Sequence, residues 1–262
     1  LNGRHPTQMT QPVSAQDAPK KVVFLMSGMC QIMDSGLRLY GHPQLLGIAA
    51  SINGDDFVPY NDAIFVKLPG LGGSVSWHQD GVTHWDSPQW DQGIHGFNFQ
   101  VQLYDTSARS CLWVVPGTHK DGKLDIKKLV AQNQGSEFLP DAMPLFAKAG
   151  DVTIVNRQAL HASFANTSKD TRISLTFGFH RRSSVLGACG ALSQTNDEVY
   201  DAERIDQRSR VIAVAIDARQ QFYPQEDRYS YQPMVGRETE LEFSEATWNK
   251  VIRDYNLQDL SI

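Results

Sequence analysis

The sequence predicts a mainly β protein with flanking helices, built as a sandwich or jelly-roll barrel. Three observations carry this expectation. From Ser74 to Phe179 short apolar runs follow one another, separated by turn residues. Within that stretch lies the clearest strand, Thr171 to Phe179, which alternates between polar and apolar positions from Arg172 on. Helix-like patterning is confined to the two ends of the chain.

The first twenty residues are mostly polar and carry Pro6, Pro12 and Pro19, which suggests a tail or a long loop. Residues from about Cys30 to Ile52 read as helical, interrupted at Gly41-His42-Pro43. Ala63 to Lys67 reads as a strand that runs into the loop Pro69-Gly70-Leu71-Gly72-Gly73. Ser74-Val75-Ser76-Trp77 alternates like a strand, and Phe97 to Tyr104 is another strand candidate. Cys111 to Val115 is stopped by Pro116-Gly117, and Gly150-Asp151 turns the chain into Val152 to Val155. In the clearest strand, Ile173, Leu175, Phe177 and Phe179 share one face, and Arg172, Ser174, Thr176 and Gly178 share the other. One face therefore packs on a core while the other meets something polar. Glu203 to Ala218 and Glu245 to Asp254 suit helices that brace the barrel or close over its mouth. The expected organisation is one domain over residues 1–262, with a core barrel at about 60–182 and bracing segments at both ends.

Composition excludes several classes. Hydrophobic residues make up 41% and charged residues 20%, ordinary for a globular protein with a sizeable core. A net charge of -5 argues against a nucleic-acid partner, which needs a basic face. No run of eighteen apolar residues is present, so no membrane span is expected. Cys30, Cys111 and Cys189 are odd in number and widely spaced, which suits a reducing compartment; the expected location is cytoplasmic. The chain starts at Leu1 and not Met, so a removed targeting segment stays open.

The chemistry is suggested by His-x-Asp. Residues i and i+2 of a strand share a face, so such a pair offers an imidazole and a carboxylate to one ion. A second His from another strand completes a two-His-one-carboxylate face with three adjacent positions left open. The pattern alone is weak. Eight His and twenty-one Asp in 262 residues give about 0.6 chance matches, whereas the chain has three: His78-Gln79-Asp80, His84-Trp85-Asp86 and His119-Lys120-Asp121. Composition does not choose among them. Context favours the first, because His119 follows the turn Pro116-Gly117-Thr118 and His84 lies in a polar stretch with Pro88. For the third ligand, His161 follows the strand ending near Asn156. Arg172 comes eleven residues later on a polar strand face, where burial is expensive unless an anion pairs with it.

Four segments in this order resemble the phytanoyl-CoA dioxygenase family: Ile64 to Gly70, Trp77-His78-Gln79-Asp80, Leu112 to Lys120, and His161-Ala162-Ser163 with Arg172. The likeness covers about Leu39 to Arg182. It implies a double-stranded β-helix, a cupin-like jelly roll, that binds Fe(II), 2-oxoglutarate and O2. It implies a dioxygenase that hydroxylates a small-molecule substrate and releases succinate and CO2. It assigns His78, Asp80 and His161 to the metal and Arg172 to the distal carboxylate of 2-oxoglutarate, with Ser163 as helper. Ser174 shares the face of Arg172, and Phe99 falls near the family's aromatic co-substrate contact. The resemblance makes His119 part of a structural turn. Asp80 favours hydroxylation, since related halogenases carry a small residue there.

On the substrate side, Trp77, Trp85, Trp90, His95 and Gln100 are candidates by their nearness to the metal loop. Within His180-Arg181-Arg182, Arg182 is the candidate for an anionic substrate group. Each has a plainer competing role: core packing for Phe99 and the tryptophans, backbone bonding for His161 and Ser163, an ordinary ion pair for Arg172, and a solvated strand end for Arg181-Arg182. Two other functions compete. A cupin-like zinc or manganese isomerase or hydrolase would use the same ligands without Arg172, and a binding module would keep the fold without turnover.

Overall fold

The computed structural model describes residues 7–10, 22–70, 73–80, 96–188 and 199–253. Strand β1 (Thr7–Thr10) pairs antiparallel with β2 (Val22–Ser27). Part of the segment expected as a tail is therefore an edge strand, which its proline content hid. Helices α1 (Met29–Ile32), α2 (Asp34–Tyr40) and α3 (Pro43–Asn53) follow, with the break at Gly41-His42. Pro43 takes the first position of α3, where its missing N–H leaves nothing unsatisfied.

The strands then come in quick succession: β3 (Val58–Lys67), β4 (Val75–His78), β5 (Gly96–Gln102) and β6 (Leu112–Val115). After helix α4 (Ile126–Gln132) come β7 (Met143–Leu145), β8 (Val152–Asn156), β9 (Leu160–Ser163) and β10 (Arg172–His180). A short α5 (Arg182–Val185) and the long α6 (Ala202–Phe222) complete the frame. Asp201 caps α6 by accepting from the Arg204 N–H at 2.8 Å. The expected terminal helix begins at Glu245 as a single turn and continues as a π turn over Trp248–Ile252.

Among the described residues all strand pairs are antiparallel and form two sheets. One is six-stranded in the order β1-β2-β3-β10-β5-β8, and the other four-stranded in the order β4-β9-β6-β7. Among the described residues the sheets do not close into one hydrogen-bonded barrel. Each has an apolar outer face. Leu175, Phe177 and Phe179 of β10, with Phe99 and Val101 of β5, pack under α2, α3 and α6. Phe179 meets Phe57 and Phe99 edge-on, at ring separations of 5.0 and 5.4 Å. Gly41 lets α2 approach α6, since a Cβ there would lie 2.3 Å from the Ala215 carbonyl oxygen. Behind the smaller sheet, Trp77, Leu160 and Ala162 form a second core with Trp113, Leu129 and Phe164.

Alternation sends the intervening residues inward. On β10 these are Arg172, Ser174 and Thr176. Register places them opposite Lys67 and Phe65 of β3 and opposite Gln102 and Gln100 of β5. The polar face read from Thr171 to Phe179 is thus one wall of the space between the sheets. No described helix is long and apolar enough to cross a membrane.

Candidate metal centre

The floor of that space is made by β4 and β9. His78 pairs with His161 across the two strands, and an irregularity between Val75 and His78 shifts the register. Without that shift, two residues three apart would point to opposite faces. With it, both Val75 and His78 line a cavity of about 110 Å³, together with Asp80, Asn98, Gln100, Leu112, Val155, His161, Ser163, Arg172, Thr176 and Phe65. Asp80 lies just past the end of β4, so the i, i+2 strand argument does not place it. Its N–H instead donates to the Arg157 carbonyl at 2.8 Å, which fixes the turn.

His78, Asp80 and His161 each offer a ligand atom, and these atoms all lie within 4.8 Å of one another. The Asp80 Oδ1 is 3.5 Å from His78 Nε2, and its Oδ2 is 3.8 Å from His161 Nε2. All three residues are buried at 7–8% exposure. Both imidazoles are oriented the same way. His78 Nδ1 lies 2.8 Å from the Ser76 carbonyl oxygen, and His161 Nδ1 lies 2.8 Å from that of Ala159. A carbonyl only accepts, so each Nδ1 donates, and each Nε2 is the ring nitrogen turned toward Asp80 and placed to ligate a metal. Asn98 donates to Asp80 Oδ2 at 2.6 Å, so the protein itself orients this carboxylate. The donor set fits a divalent transition metal with open positions.

Gln79, between the two ligands, is spent on scaffolding. Its amide donates to the carbonyls of Gly122 and Gln158 at 2.9 Å each and accepts from the Leu124 N–H at 2.9 Å. The Pro116-Gly117-Thr118-His119 turn does similar work. Thr118 Oγ1 donates to the Val115 carbonyl and accepts from the Leu160 N–H, bracing the start of β9. His119 itself lies on a short 3-10 turn, outside the ligand cluster.

At the other end stands Arg172, 2% exposed. It donates to Ser163 Oγ at 2.7 Å and to Gln100 Oε1 at 2.8 Å. Gln102 donates to the same Gln100 oxygen at 2.9 Å. Burial pulls the guanidinium down to about 10, against a smaller opposing pull from the Cys111 thiol. Burial likewise pushes the Cys111 thiol up to about 11. Lys67, opposite Arg172 in register, is fully buried and donates to the carbonyls of Ser163 and Phe164. Burial, and then the charge of Arg172, hold its ammonium well below the usual lysine range.

The structure therefore brings His78, Asp80, His161, Arg172, Ser163 and Gln100 to one cavity. Ser174 is on the same strand face and fully buried, but does not line the cavity. Phe99 does not reach it, because neighbours on a strand face opposite ways. Asn98 and Gln100 point in, and Phe99 packs in the helix-side core against Phe177 and Phe179. Trp77 is likewise turned outward, its indole N–H donating to the Glu137 carbonyl at 2.6 Å. Arg182 begins α5 and is not in the lining. His84, Trp85, Trp90 and His95 lie outside the described residues. Sequence reasoning missed Asn98, Thr176 and Lys67. The i, i+2, i+4 series Asn98, Gln100, Gln102 was the signal for the first. A wider groove of about 210 Å³ between α6 and residues 228–238 has Arg228 in its lining, paired with Asp217 at 2.8 Å, and holds no ligand cluster.

Comparison with known proteins agrees with this geometry. A curated relative, "Phytanoyl-CoA dioxygenase 1" of Oryza sativa subsp. japonica, is 30% identical over 119 residues; the match covers 42% of this chain and 40% of the rice protein. The crystal structure of EctD from S. alaskensis with 2-oxoglutarate and 5-hydroxyectoine superposes with a TM-score of 0.52 at 17% identity, covering 67% of this chain and 62% of that one. The non-heme alpha ketoglutarate dependent carbocyclase SnoK from nogalamycin biosynthesis gives 0.51 at 20% identity, covering 68% of each chain. These two likenesses establish a shared jelly-roll fold. The family model for phytanoyl-CoA dioxygenase (PhyH) matches residues 16–174, more than half of the chain, and spans all three candidate ligands and Arg172. The chain belongs to the phytanoyl-CoA dioxygenase family.

Proposed function

We propose that the protein is an Fe(II)- and 2-oxoglutarate-dependent dioxygenase that hydroxylates an unactivated C–H bond of a small-molecule metabolite, releasing succinate and CO2. The observation that carries this reading is one cavity with a two-His-one-carboxylate donor set and a buried guanidinium that has only neutral partners in its lining. A dicarboxylate spans such a cavity, one end at the metal donors and the other at Arg172. When bound, iron supplies the redox chemistry that couples O2 to oxidation of the co-substrate and substrate.

The chain's own contributions follow from the contacts. His78, His161 and Asp80 hold the ion on one face. Asn98 keeps the Asp80 carboxylate turned. Arg172 and Ser163 orient the distal carboxylate, and Thr176 and Gln100 lie between the two ends. The two apolar cores pack behind the sheets that wall the cavity. Among the described residues, Arg172 is the only lysine or arginine in the lining, which supports a small free metabolite over a CoA thioester, whose phosphates would want several cations. We read residues 1–262 as one oxygenase domain, with neither nucleic acid nor membrane as a partner.

The test is turnover of 2-oxoglutarate itself. Purified protein with Fe(II), ascorbate and O2 converts 2-oxoglutarate to succinate even without the prime substrate, slowly. His161→Ala and Asp80→Ala abolish this, and Arg172→Ala requires far more 2-oxoglutarate. No succinate under any of these conditions, with iron bound, would remove the oxygenase reading.

A further inference from the structure

Lys67 is an unusual residue to bury. It is fully enclosed, and its neighbour in register is another buried cation, Arg172. The partners found for these two cations are neutral oxygens: the carbonyls of Ser163 and Phe164 for Lys67, and Ser163 Oγ and Gln100 Oε1 for Arg172. Two adjacent buried cations with no carboxylate between them are costly. Satisfying two carbonyls does not require a charge, since a neutral amide would serve. What a lysine adds is positive potential in a low-dielectric wall.

A second observation points the same way. Arg172 Nε, Ser174 Oγ and Gln102 Oε1 are buried without hydrogen-bond partners, and Ser174 and Gln102 are opposite each other in register. The polar face around Arg172 offers more hydrogen-bonding capacity than the chain itself fills. Lys67 also acts on geometry. It grips the Ser163 carbonyl while the hydroxyl of the same residue accepts from Arg172, so one lysine locks the end of β9 against the guanidinium.

We propose that Lys67 is the second cation of the anion end of the cavity: a positioning residue that holds Ser163 against Arg172 and adds charge from behind, so that the subsite selects ligands with a distal carboxylate. This rests on the 2-oxoglutarate reading above. Lys67 does not line the cavity and so does not touch the ligand. Its effect is confined to the end away from the metal.

The experiment compares two 2-oxo acids on the anaerobic Fe(II) protein: 2-oxoglutarate, and 2-oxopentanoate, which carries a methyl in place of the distal carboxylate. Binding is read from the visible band of the iron chelate. In Lys67→Met and Lys67→Gln, 2-oxoglutarate affinity falls by roughly tenfold or more while 2-oxopentanoate affinity changes by less than about threefold. Lys67→Arg restores 2-oxoglutarate binding. The glutamine variant retains a donor for the carbonyls and serves if the methionine variant does not fold. A parallel loss for both ligands would make Lys67 a scaffold residue and overturn the proposal. Unchanged 2-oxoglutarate affinity in the variants would overturn it and leave the oxygenase reading standing. Failure of the wild-type protein to bind 2-oxoglutarate at all would remove both.

Discussion

Gln79 sits between the candidate ligands His78 and Asp80 yet its side chain bonds to residues 122–124 and 158, and replacing it by alanine tests whether the loop that carries Asp80 is held by the contacts described. The amide makes three hydrogen bonds, two to carbonyls and one from an N–H, and ties the metal loop to residues 122–124 and to residue 158. Gln79 is 3% exposed, so water does not replace these partners freely. At a net contribution of about 0.5–1.5 kcal/mol per bond, the loss of three is about 1.5–4.5 kcal/mol of stability. The same cut frees the segment between His78 and Asp80, so metal affinity falls by roughly 10- to 100-fold although no ligand is removed. Urea unfolding of the metal-free protein measures the first effect, and competition with a chromophoric chelator the second. A loss below about 1 kcal/mol with unaltered metal affinity would show that Gln79 does not hold this loop.

Other perturbations separate the parts of the site. Asn98→Ala removes the 2.6 Å bond to Asp80 and is expected to weaken metal binding about tenfold with little change in melting temperature, as chelator competition and calorimetry would show. Phe99→Ala empties the helix-side core and costs about 3–5 kcal/mol in denaturant unfolding while leaving metal affinity in the folded protein intact; a specific loss of 2-oxoglutarate binding instead would return Phe99 to the site. Asp206 supplies a pH test away from the cavity. Burial raises its carboxyl, but hydrogen bonds from Arg210 and Arg237 outweigh this and hold it below the usual range. A depressed folded value stabilises above the unfolded value near 4 and is lost as pH falls through the folded value. Asp206→Asn is therefore expected to cost up to about 1 kcal/mol at pH 7 and almost nothing at pH 2, measured by urea unfolding at both values.

Much of the larger sheet was legible in the sequence because its outer face is apolar and its inner face polar. Ile173, Leu175, Phe177 and Phe179 announce a strand by themselves, and the opposite series places Arg172 inward. The smaller sheet was harder to read. β9 is four residues long and buried throughout, so no alternation shows, and β7 contains a proline. β1 lies in a proline-rich segment whose pairing with β2 is a long-range fact. The candidate ligands are marked in the sequence by motif order and not by strand geometry. The i, i+2 rule on a regular strand does not account for how His78 and Asp80 come together, because β4 carries a bulge and Asp80 lies beyond its end. Phe99 illustrates the converse. Phe99 and Gln100 are adjacent on β5 and so face opposite sides, with Gln100 toward the cavity and Phe99 in the helix-side core. Lys67 was legible only as the end of a strand. Its importance comes from register with Arg172, which no local pattern encodes.

The most direct measurement is an anaerobic titration of the purified protein with Fe(II) and then 2-oxoglutarate, followed in the visible range, with His161→Ala and Arg172→Ala alongside. The expected result is a charge-transfer band that saturates with one iron and one 2-oxoglutarate, is absent in His161→Ala, and needs on the order of 100-fold more co-substrate in Arg172→Ala. An iron-loaded wild-type protein that shows no band at any 2-oxoglutarate concentration would contradict the assignment of this cavity.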